Sequence, residues 1–369
     1  MPPEPLPAQE QGKGPARTPT PPVVQEQPPV PTPDKPSRPE PSAQTRQLVA
    51  ALTQFKGSIT PEMAALWKTN LMQLIQQGPA AVPAIREFLE QNKDIPYDYK
   101  QGGNQLGAHS LRLALLEALE VIGGPEAMQL AVDTLQTTTE PREIAQIAKH
   151  LESQAQGQHR AAILDAARES LAMAAAGKLG QTDAGPLFNV MAQYGGTEAI
   201  PDFQKVASPF RYYTAIGLAQ LPDGAGVPAL AQMLRQPNGP PRGTHSAALE
   251  ALAQLAPAYP EARELILQQA RLKQIPETLW PSIAKSLLGA KLFIGDLSEE
   301  GLPPMSGDMT THLAQGPQNF YSRPDSVKLT PEQAQQMSQF IDQLLQTEVP
   351  ALGLESLQKG KEKLAQPSP

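Results

Sequence analysis

The sequence has 369 residues, which is enough for two ordinary domains or for one elongated array of small units. Aromatic residues make up 5% of it and β-branched residues are scarce, so the composition favours helices over strands. A net charge of −7 without a basic block makes nucleic acid an unlikely partner, and the absence of cysteine excludes disulfides, thiolate metal sites and cysteine nucleophiles.

The N-terminal segment, residues 1–43, is dominated by proline. Fifteen of the 41 prolines lie within the first 41 residues, among few bulky apolar side chains. Such a segment cannot build a core, so we predict a disordered Pro-rich linker and hypothesise that it tethers a folded body. Pro33-x-x-Pro36-x-Arg38 fits ligands of proline-binding domains, but matches of this kind arise from composition alone, and we interpret the segment as a spacer.

Neither terminus nor interior carries a membrane signal. Met1 is followed by Pro-Pro-Glu-Pro rather than by a basic and then an apolar stretch, so no secretory signal is expected in this sequence. The longest run of small apolar residues, 171–176, is far shorter than a membrane span. The lack of cysteine favours an extracytoplasmic location only slightly over a cytoplasmic one.

From residue 44 onward apolar residues recur at spacings of three and four, which is typical of amphipathic helices. Thr60-Pro61-Glu62 predicts a helix start, because threonine caps, proline suits the first helical position and glutamate favours the positive end of the dipole. Thr330-Pro331-Glu332-Gln333 repeats this start with a capping box. We therefore predict a C-terminal helical cap over residues 329–369.

A helix start that recurs along the sequence predicts the architecture. Gly78 precedes Val82-Pro83, Gly226 precedes Val227-Pro228, and Gly196 precedes Ile200-Pro201, so that glycine ends one helix and proline opens the next. Twice this start leads on to a helix that reads Leu-Glu-Ala-Leu, at 116–119 and 249–252. The pattern predicts a two-helix hairpin that buries its apolar face only against its neighbours.

These starts resemble the HEAT repeat family, including short bacterial HEAT-like repeats whose first helix often reads Gly-x-x-Ala-Val-Pro-x-Leu. The segment 78–89 matches best, and the resemblance covers roughly residues 60–290. It implies an all-α fold, a right-handed α-solenoid of helix hairpins, which we place at 44–290. Unit lengths vary and 136–176 lacks the signature, so no repeat count is predicted, and a conventional globular all-α domain is the alternative.

Residues with catalytic or metal-binding chemistry are few. His109 and His245 each precede a serine that suits a helix cap, so we interpret both as structural. No histidine pair has the spacing of a zinc-binding helix, and no phosphate-binding loop or nucleophile elbow is present. We predict no catalytic residue, no metal and no cofactor.

Two irregular segments are candidate contact surfaces. The long connector 90–108 carries Ile95, Tyr97 and Tyr99 beside a proline, and rigid aromatic side chains of this kind are common in interfaces. The irregular segment 291–328 carries Met305, Phe320 and Tyr321. The alternatives are that the connector folds onto its own array and, preferred for the second segment, that it caps the last repeat.

The sequence thus predicts a non-enzymatic scaffold that binds a protein or peptide. The competing class is enzymatic, because some HEAT-like proteins are bilin lyases or DNA glycosylases, and the resemblance extends to them. The lack of cysteine and of a basic groove speaks against both enzymes, although a lyase need not itself carry a cysteine. The oligomeric state is not predicted.

Overall fold

The computed structural model describes residues 39–235, 243–295, 309–313, 317–324 and 326–366. The helices and strands of the described residues all belong to one unit, Glu40–Pro369. The predicted Pro-rich linker lies outside the described residues as far as Arg38, and Met305 lies outside them as well.

Most of the described chain is helical. The helices are α1 Ala43–Leu52, α2 Pro61–Gln76, α3 Val82–Leu89, α4 Leu111–Ile122, α5 Gly124–Leu135, α6 Pro141–Gln154, α7 Arg160–Ala175, α8 Gly185–Val190, α9 Ile200–Lys205, α10 Arg211–Ala219, α11 Val227–Leu234, α12 Thr244–Leu255, α13 Pro260–Arg271, α14 Trp280–Leu287, α15 Pro331–Leu345 and α16 Ala351–Ala365. A π-helical turn, Met191–Gly195, continues α8. In the described part of the chain, none of these helices is long and apolar enough to span a bilayer.

The helix starts follow the predicted cap chemistry. Thr60 Oγ1 accepts a hydrogen bond from the N–H of Met63 at 3.3 Å, with Pro61 in the first helical position. Thr330 and Gln333 form the predicted capping box at the start of α15. Gly78, which ends the turn after α2, has a φ of +56°, a conformation that favours glycine over residues with a Cβ.

Helix contacts follow a regular order along the chain. Neighbours such as α1 and α2, α5 and α6, or α12 and α13 pack as pairs. Each even-numbered helix also contacts the next even-numbered helix, without interruption from α2 to α16. The odd-numbered helices α1, α3, α5 and α7 form a second such series, and α11, α13 and α15 form a third. Most contacts are therefore made between elements that are close in sequence.

A small antiparallel sheet interrupts the helices between α14 and α15, where an irregular segment without strands was predicted. Its strands are β1 Lys291–Ile294, β2 Met309–Leu313 and β3 Pro317–Arg323, in the order β1-β3-β2. Phe293 is opposite Tyr321, and Ile294 is opposite Phe320. The strands are short and β1 and β2 are far apart in sequence, so local periodicity gave no signal for them.

One face of this sheet packs on even-numbered helices. Leu292, Ile294 and Phe320 are buried on that face, and β1 contacts α8, α10 and α12. The ring of Phe320 stacks on Tyr212 of α10 with the centroids 4.4 Å apart. Helix α12 is buried on nearly all sides from His245 to Ala253, mainly by the helices α10, α11, α13 and α14. The sheet thus covers one stretch of the even-numbered series.

Candidate functional site

The long connector between α3 and α4 is folded onto its own helices. Tyr97 is buried, its ring meets Trp67 of α2 edge to face, and its hydroxyl accepts a hydrogen bond from Trp67 Nε1 at 3.0 Å. The N–H of Tyr97 donates to the carbonyl of His109 at 2.8 Å. Tyr97 was predicted as a contact residue, but its side chain offers no free surface because the connector closes over α2.

The other two candidates in the connector are partly exposed. Ile95 accepts a backbone hydrogen bond from Leu111 at 3.0 Å, and Tyr99 stacks on His109 with the ring centroids 4.5 Å apart. Asp94 Oδ1 accepts from the N–H groups of Ile95 and Arg112 and so fixes the connector to the start of α4. A contact role for Ile95 and Tyr99 stays a prediction.

The candidates in the second segment lie in the sheet. Phe320 and Tyr321 are both buried, with Phe320 against α10 and Tyr321 stacked on Phe293 at 5.5 Å. Neither was expected in a strand, and their burial removes them as exposed contacts. Met305 lies outside the described residues.

The two histidines differ, although their sequence context is the same. Ser110 caps α4 as predicted, by accepting from the N–H of Leu113 at 3.3 Å. Ser246 does not cap α12, because that helix already begins at Thr244. His245 is buried inside it, and its two ring nitrogens lie 2.9 Å from the carbonyl oxygen of Leu234 and 3.1 Å from that of Gln274. Both histidines are placed to hold loops against helices.

A groove follows the outer edge of β1, where the strand faces the ends of three even-numbered helices. We call it the edge groove. It consists of two clefts, with volumes of about 440 and 450 Å³, that share Gln220 and Phe293. The first is lined by Asn189, Ala192, Gln193, Gln220, Phe293 and Ile294, and the second by Gln220, Asp223, Gln254, Tyr259, Lys291 and Leu292 among others.

The helical wall of the edge groove presents amide side chains. Gln193 lies in the π-helical turn after α8, Gln220 ends α10, and Gln254 lies in the last turn of α12. Both Gln193 and Gln220 are exposed. Each amide offers two N–H donors and one carbonyl acceptor and carries no charge at any ordinary pH. The groove is therefore built to form neutral hydrogen bonds.

The sequence alone gives these glutamines only a weak signal. It contains the dipeptide Ala-Gln eleven times, and three of these dipeptides, at 192–193, 219–220 and 253–254, lie at or just after the end of an even-numbered helix. Recurrence at equivalent places in successive units aligns side chains along one face of an array. Val121, the second-to-last residue of α4, corresponds to Gln254 in α12. Val121 is 64% exposed, and α4 lies outside the groove.

The strand wall of the groove is the free edge of β1. In an antiparallel pair, alternate residues direct both backbone groups to the partner strand and the others direct them away. The N–H of Gly295 donates to the carbonyl of Asn319 in β3 at 3.0 Å. By this alternation, the backbone N–H and C=O groups of Leu292 and Ile294 point away from β3. The N–H of Leu292 donates instead to Gln254 Oε1 at 2.8 Å.

A partly buried polar cluster fixes the end of the sheet beside the groove. Asp183 accepts hydrogen bonds from the hydroxyl of Tyr213 at 2.6 Å, from the N–H of Gly185 at 2.8 Å and from Asn319 Nδ2 at 3.2 Å. Burial raises the pKa of the Asp183 carboxyl above its ordinary value, while these three donors act in the opposite direction. A Cβ on Gly185 would lie 2.6 Å from the Ile294 side chain, so only glycine allows α8 to approach β1 this closely.

The described residues contain no group of three or more histidine, aspartate or glutamate side chains that could hold a metal ion. No family model matches the chain, and no curated protein matches it significantly. The feature of the described residues that points to a function is the edge groove with its amide side chains.

Proposed function

We propose that this protein is a non-enzymatic scaffold that binds a protein or peptide segment in the edge groove. The body that presents the groove is, in this proposal, a right-handed α-solenoid of HEAT-like hairpins. The observation that carries the proposal is the line of amide side chains Gln193, Gln220 and Gln254 facing the free edge of β1.

The order of helix contacts supports the solenoid. In a stacked array each unit contacts only its neighbours, so contacts recur between helix n and helices n + 1 and n + 2. The uninterrupted series from α2 to α16 has this form. Small-angle scattering of a fragment that begins at residue 40 tests the arrangement, because a compact sphere-like envelope would contradict it.

The chemistry of the groove supports binding rather than catalysis. Acid–base catalysis needs a group whose pKa lies near the working pH, and amide side chains do not titrate there. Among the lining residues that the structure describes, the charged side chains are Asp223 and Lys291, which carry opposite charges. Amide side chains can form hydrogen bonds with both the N–H and the C=O groups of a bound backbone, and these bonds require no charge on the ligand.

Gln220 provides the test, because it lines both clefts and its side chain is exposed. Random heptapeptides with blocked ends are displayed and selected on the full chain, and the best binders are measured by calorimetry. Gln220→Trp fills the groove and should weaken binding at least about tenfold, since every 1.4 kcal/mol is a factor of ten. Gln232→Trp on the exposed side of α11 is the matched control and should leave binding unchanged. Selection of no peptide, or equal binding by Gln220→Trp, refutes the proposal.

A further inference from the structure

We infer that the occupant of the edge groove is an uncharged, extended peptide segment that pairs with β1 as an additional strand and replaces the side chain of Gln254. This inference rests on the proposed function and specifies the ligand of that same groove. In the protein without ligand, the side chain of Gln254 occupies the position that the ligand backbone would take.

Gln254 occupies the position of a partner strand. Its Oε1 lies 2.8 Å from the backbone nitrogen of Leu292, which is where a carbonyl oxygen of an added antiparallel strand would lie. Its Nε2 donates to the carbonyl of Glu250 one turn earlier in α12, at 3.2 Å. A side-chain amide and a backbone amide are chemically alike. The Gln254 side chain therefore satisfies the N–H of Leu292 at the strand edge and blocks unwanted strand pairing while no ligand is bound.

Exchange of Gln254 for a ligand conserves hydrogen bonds at Leu292. The ligand carbonyl takes over the N–H of Leu292, and the partly exposed Gln254 side chain swings away and is hydrated by solvent. The peptide groups of Ile294 point to the same side, beside the cleft lined by Asn189 and Gln193. The ligand thereby gains backbone pairing at a second residue, while the displaced Gln254 side chain exchanges its hydrogen bond to the Glu250 carbonyl for hydrogen bonds to solvent.

The dimensions and charge of the groove set the class of ligand. The four residues of β1 span about 13 Å at about 3.3 Å per residue, which matches an extended segment of four to six residues. Among the described lining residues, the charged ones are Asp223 and Lys291, both in the cleft that also contains Gln254. The cleft lined by Asn189 and Gln193 has no charged side chain among its described residues, so a charged ligand side chain would lose hydration there without an opposite charge, and uncharged residues are favoured.

The experiment compares two changes at Gln254 that have opposite expected signs. Gln254→Ala removes the side-chain amide that competes with the ligand for the N–H of Leu292, and it should tighten binding of the selected heptapeptides about three- to tenfold. Gln254→Glu keeps an acceptor and makes it a charged one, which holds the N–H of Leu292 more strongly, so binding should weaken. A purely structural role for Gln254 would weaken binding in both variants and would overturn the inference. Urea unfolding of both variants shows that each is folded.

A backbone scan of the peptide gives a second, independent readout. N-methylation at single positions should abolish binding at alternate residues and be tolerated at the residues between them, as strand pairing requires. If Gln220→Trp blocks binding but every N-methyl peptide binds equally, the groove binds peptides and the strand-pairing inference is refuted. If Gln220→Trp binds as the native chain does, the proposed function itself is refuted. A dimer that forms through this edge, seen by sedimentation and lost in Gln220→Trp, would identify a second copy as the ligand and would also refute the inference.

Discussion

The hydroxyl of Tyr213 donates a hydrogen bond to Asp183 Oδ1 at 2.6 Å and links α10 to the segment that precedes α8. The same hydroxyl accepts from the backbone N–H of Asn319 in β3. One phenol therefore connects two helices of the even-numbered series to the sheet that forms the edge groove. Because Asp183 is largely desolvated, its charged form depends on the donors around it.

Tyr213→Phe should destabilise the protein more at neutral pH than in acid. A hydrogen bond to a charged group contributes about 1.5–3 kcal/mol, and this contribution is present only at pH values at which Asp183 is charged. The raised pKa of Asp183 means that its contribution to stability is largest below the ordinary aspartate value near 3.8 and is lost as the pH rises through the folded-state pKa. Urea unfolding at neutral pH and at about pH 3.5 measures the difference.

Asp183→Asn provides the control for this effect. Without an ionisable group at position 183, Tyr213→Phe should cost the same free energy of unfolding at both pH values. Equal costs at both pH values in the native background would show instead that the hydroxyl acts through hydrogen bonds that do not depend on the charge of Asp183, such as the one it accepts from the N–H of Asn319. The sheet contacts of Tyr213 do not change with pH, so the double variant separates the two contributions.

The helical part of the fold was predictable because its signals are local. Thr60 and Thr330 cap where the sequence placed them, since a cap depends on residues within one turn. The prediction failed at Ser246, because α12 starts three residues earlier than a cap there would allow and buries His245 between the carbonyl group that ends α11 and one in the loop after α13. Those carbonyls, of Leu234 and Gln274, are not adjacent to it in sequence.

A buried ion pair leads to a second prediction. Arg112 of α4 and Glu143 of α6 form a bidentate pair, with Nε 2.5 Å from Oε1 and Nη2 3.0 Å from Oε2, and both side chains are almost fully buried. Arg112→Leu leaves the Glu143 carboxylate buried without its cation and should cost about 3–5 kcal/mol in the free energy of unfolding.

The double variant Arg112→Leu, Glu143→Leu tests whether the cost comes from the orphaned charge. It should recover a large part of the stability lost in Arg112→Leu, because two apolar side chains replace the pair. If the double variant is no more stable than the single one, the loss in Arg112→Leu arises from the hydrogen bond of Arg112 to the carbonyl of Leu89 rather than from the orphaned charge. Urea unfolding of the three proteins at one pH decides between these causes.

The buried hydrogen bond between Trp67 and Tyr97 gives a third prediction. Tyr97→Phe keeps the ring contact but leaves Trp67 Nε1 without its acceptor, which should cost about 1–3 kcal/mol. Hydrogen exchange of the N–H groups of Tyr97 and Leu111 should quicken, because they hold the connector to α4. Tyr194→Phe, at a half-buried site outside the connector, is the control and should change stability by less than about 0.5 kcal/mol.

The contact residues were harder to predict than the helices, and Tyr97 shows why. An aromatic residue beside a proline in a long connector is equally compatible with an exposed contact and with a buried anchor. The difference is made by Trp67, thirty residues earlier, whose position depends on how α2 packs. The edge groove was missed for a related reason, because β1 and the Ala-Gln dipeptides are brought together only by the docking of the sheet on α8, α10 and α12.

The glycine of the repeated helix start leads to the last prediction. Gly226 has ordinary helical angles, but a Cβ there would lie 2.1 Å from the carbonyl oxygen of Leu218 in α10. Gly226→Ala must therefore push α11 away from α10, and backbone carbonyls give way less readily than side chains. We expect a loss of about 1–3 kcal/mol in the free energy of unfolding.

Gly360 in α16 is the matched control, because a Cβ there would meet only the side-chain methyl groups of Ile341 and Leu288, each at 3.8 Å. Gly360→Ala should stabilise the protein by about 0.5–1 kcal/mol, since alanine loses less backbone entropy in a helix. Opposite signs for the two variants in thermal unfolding would show that Gly226 is required by the close approach of α10 and α11. Equal stabilisation in both would mean that the two helices pack less tightly than this contact indicates.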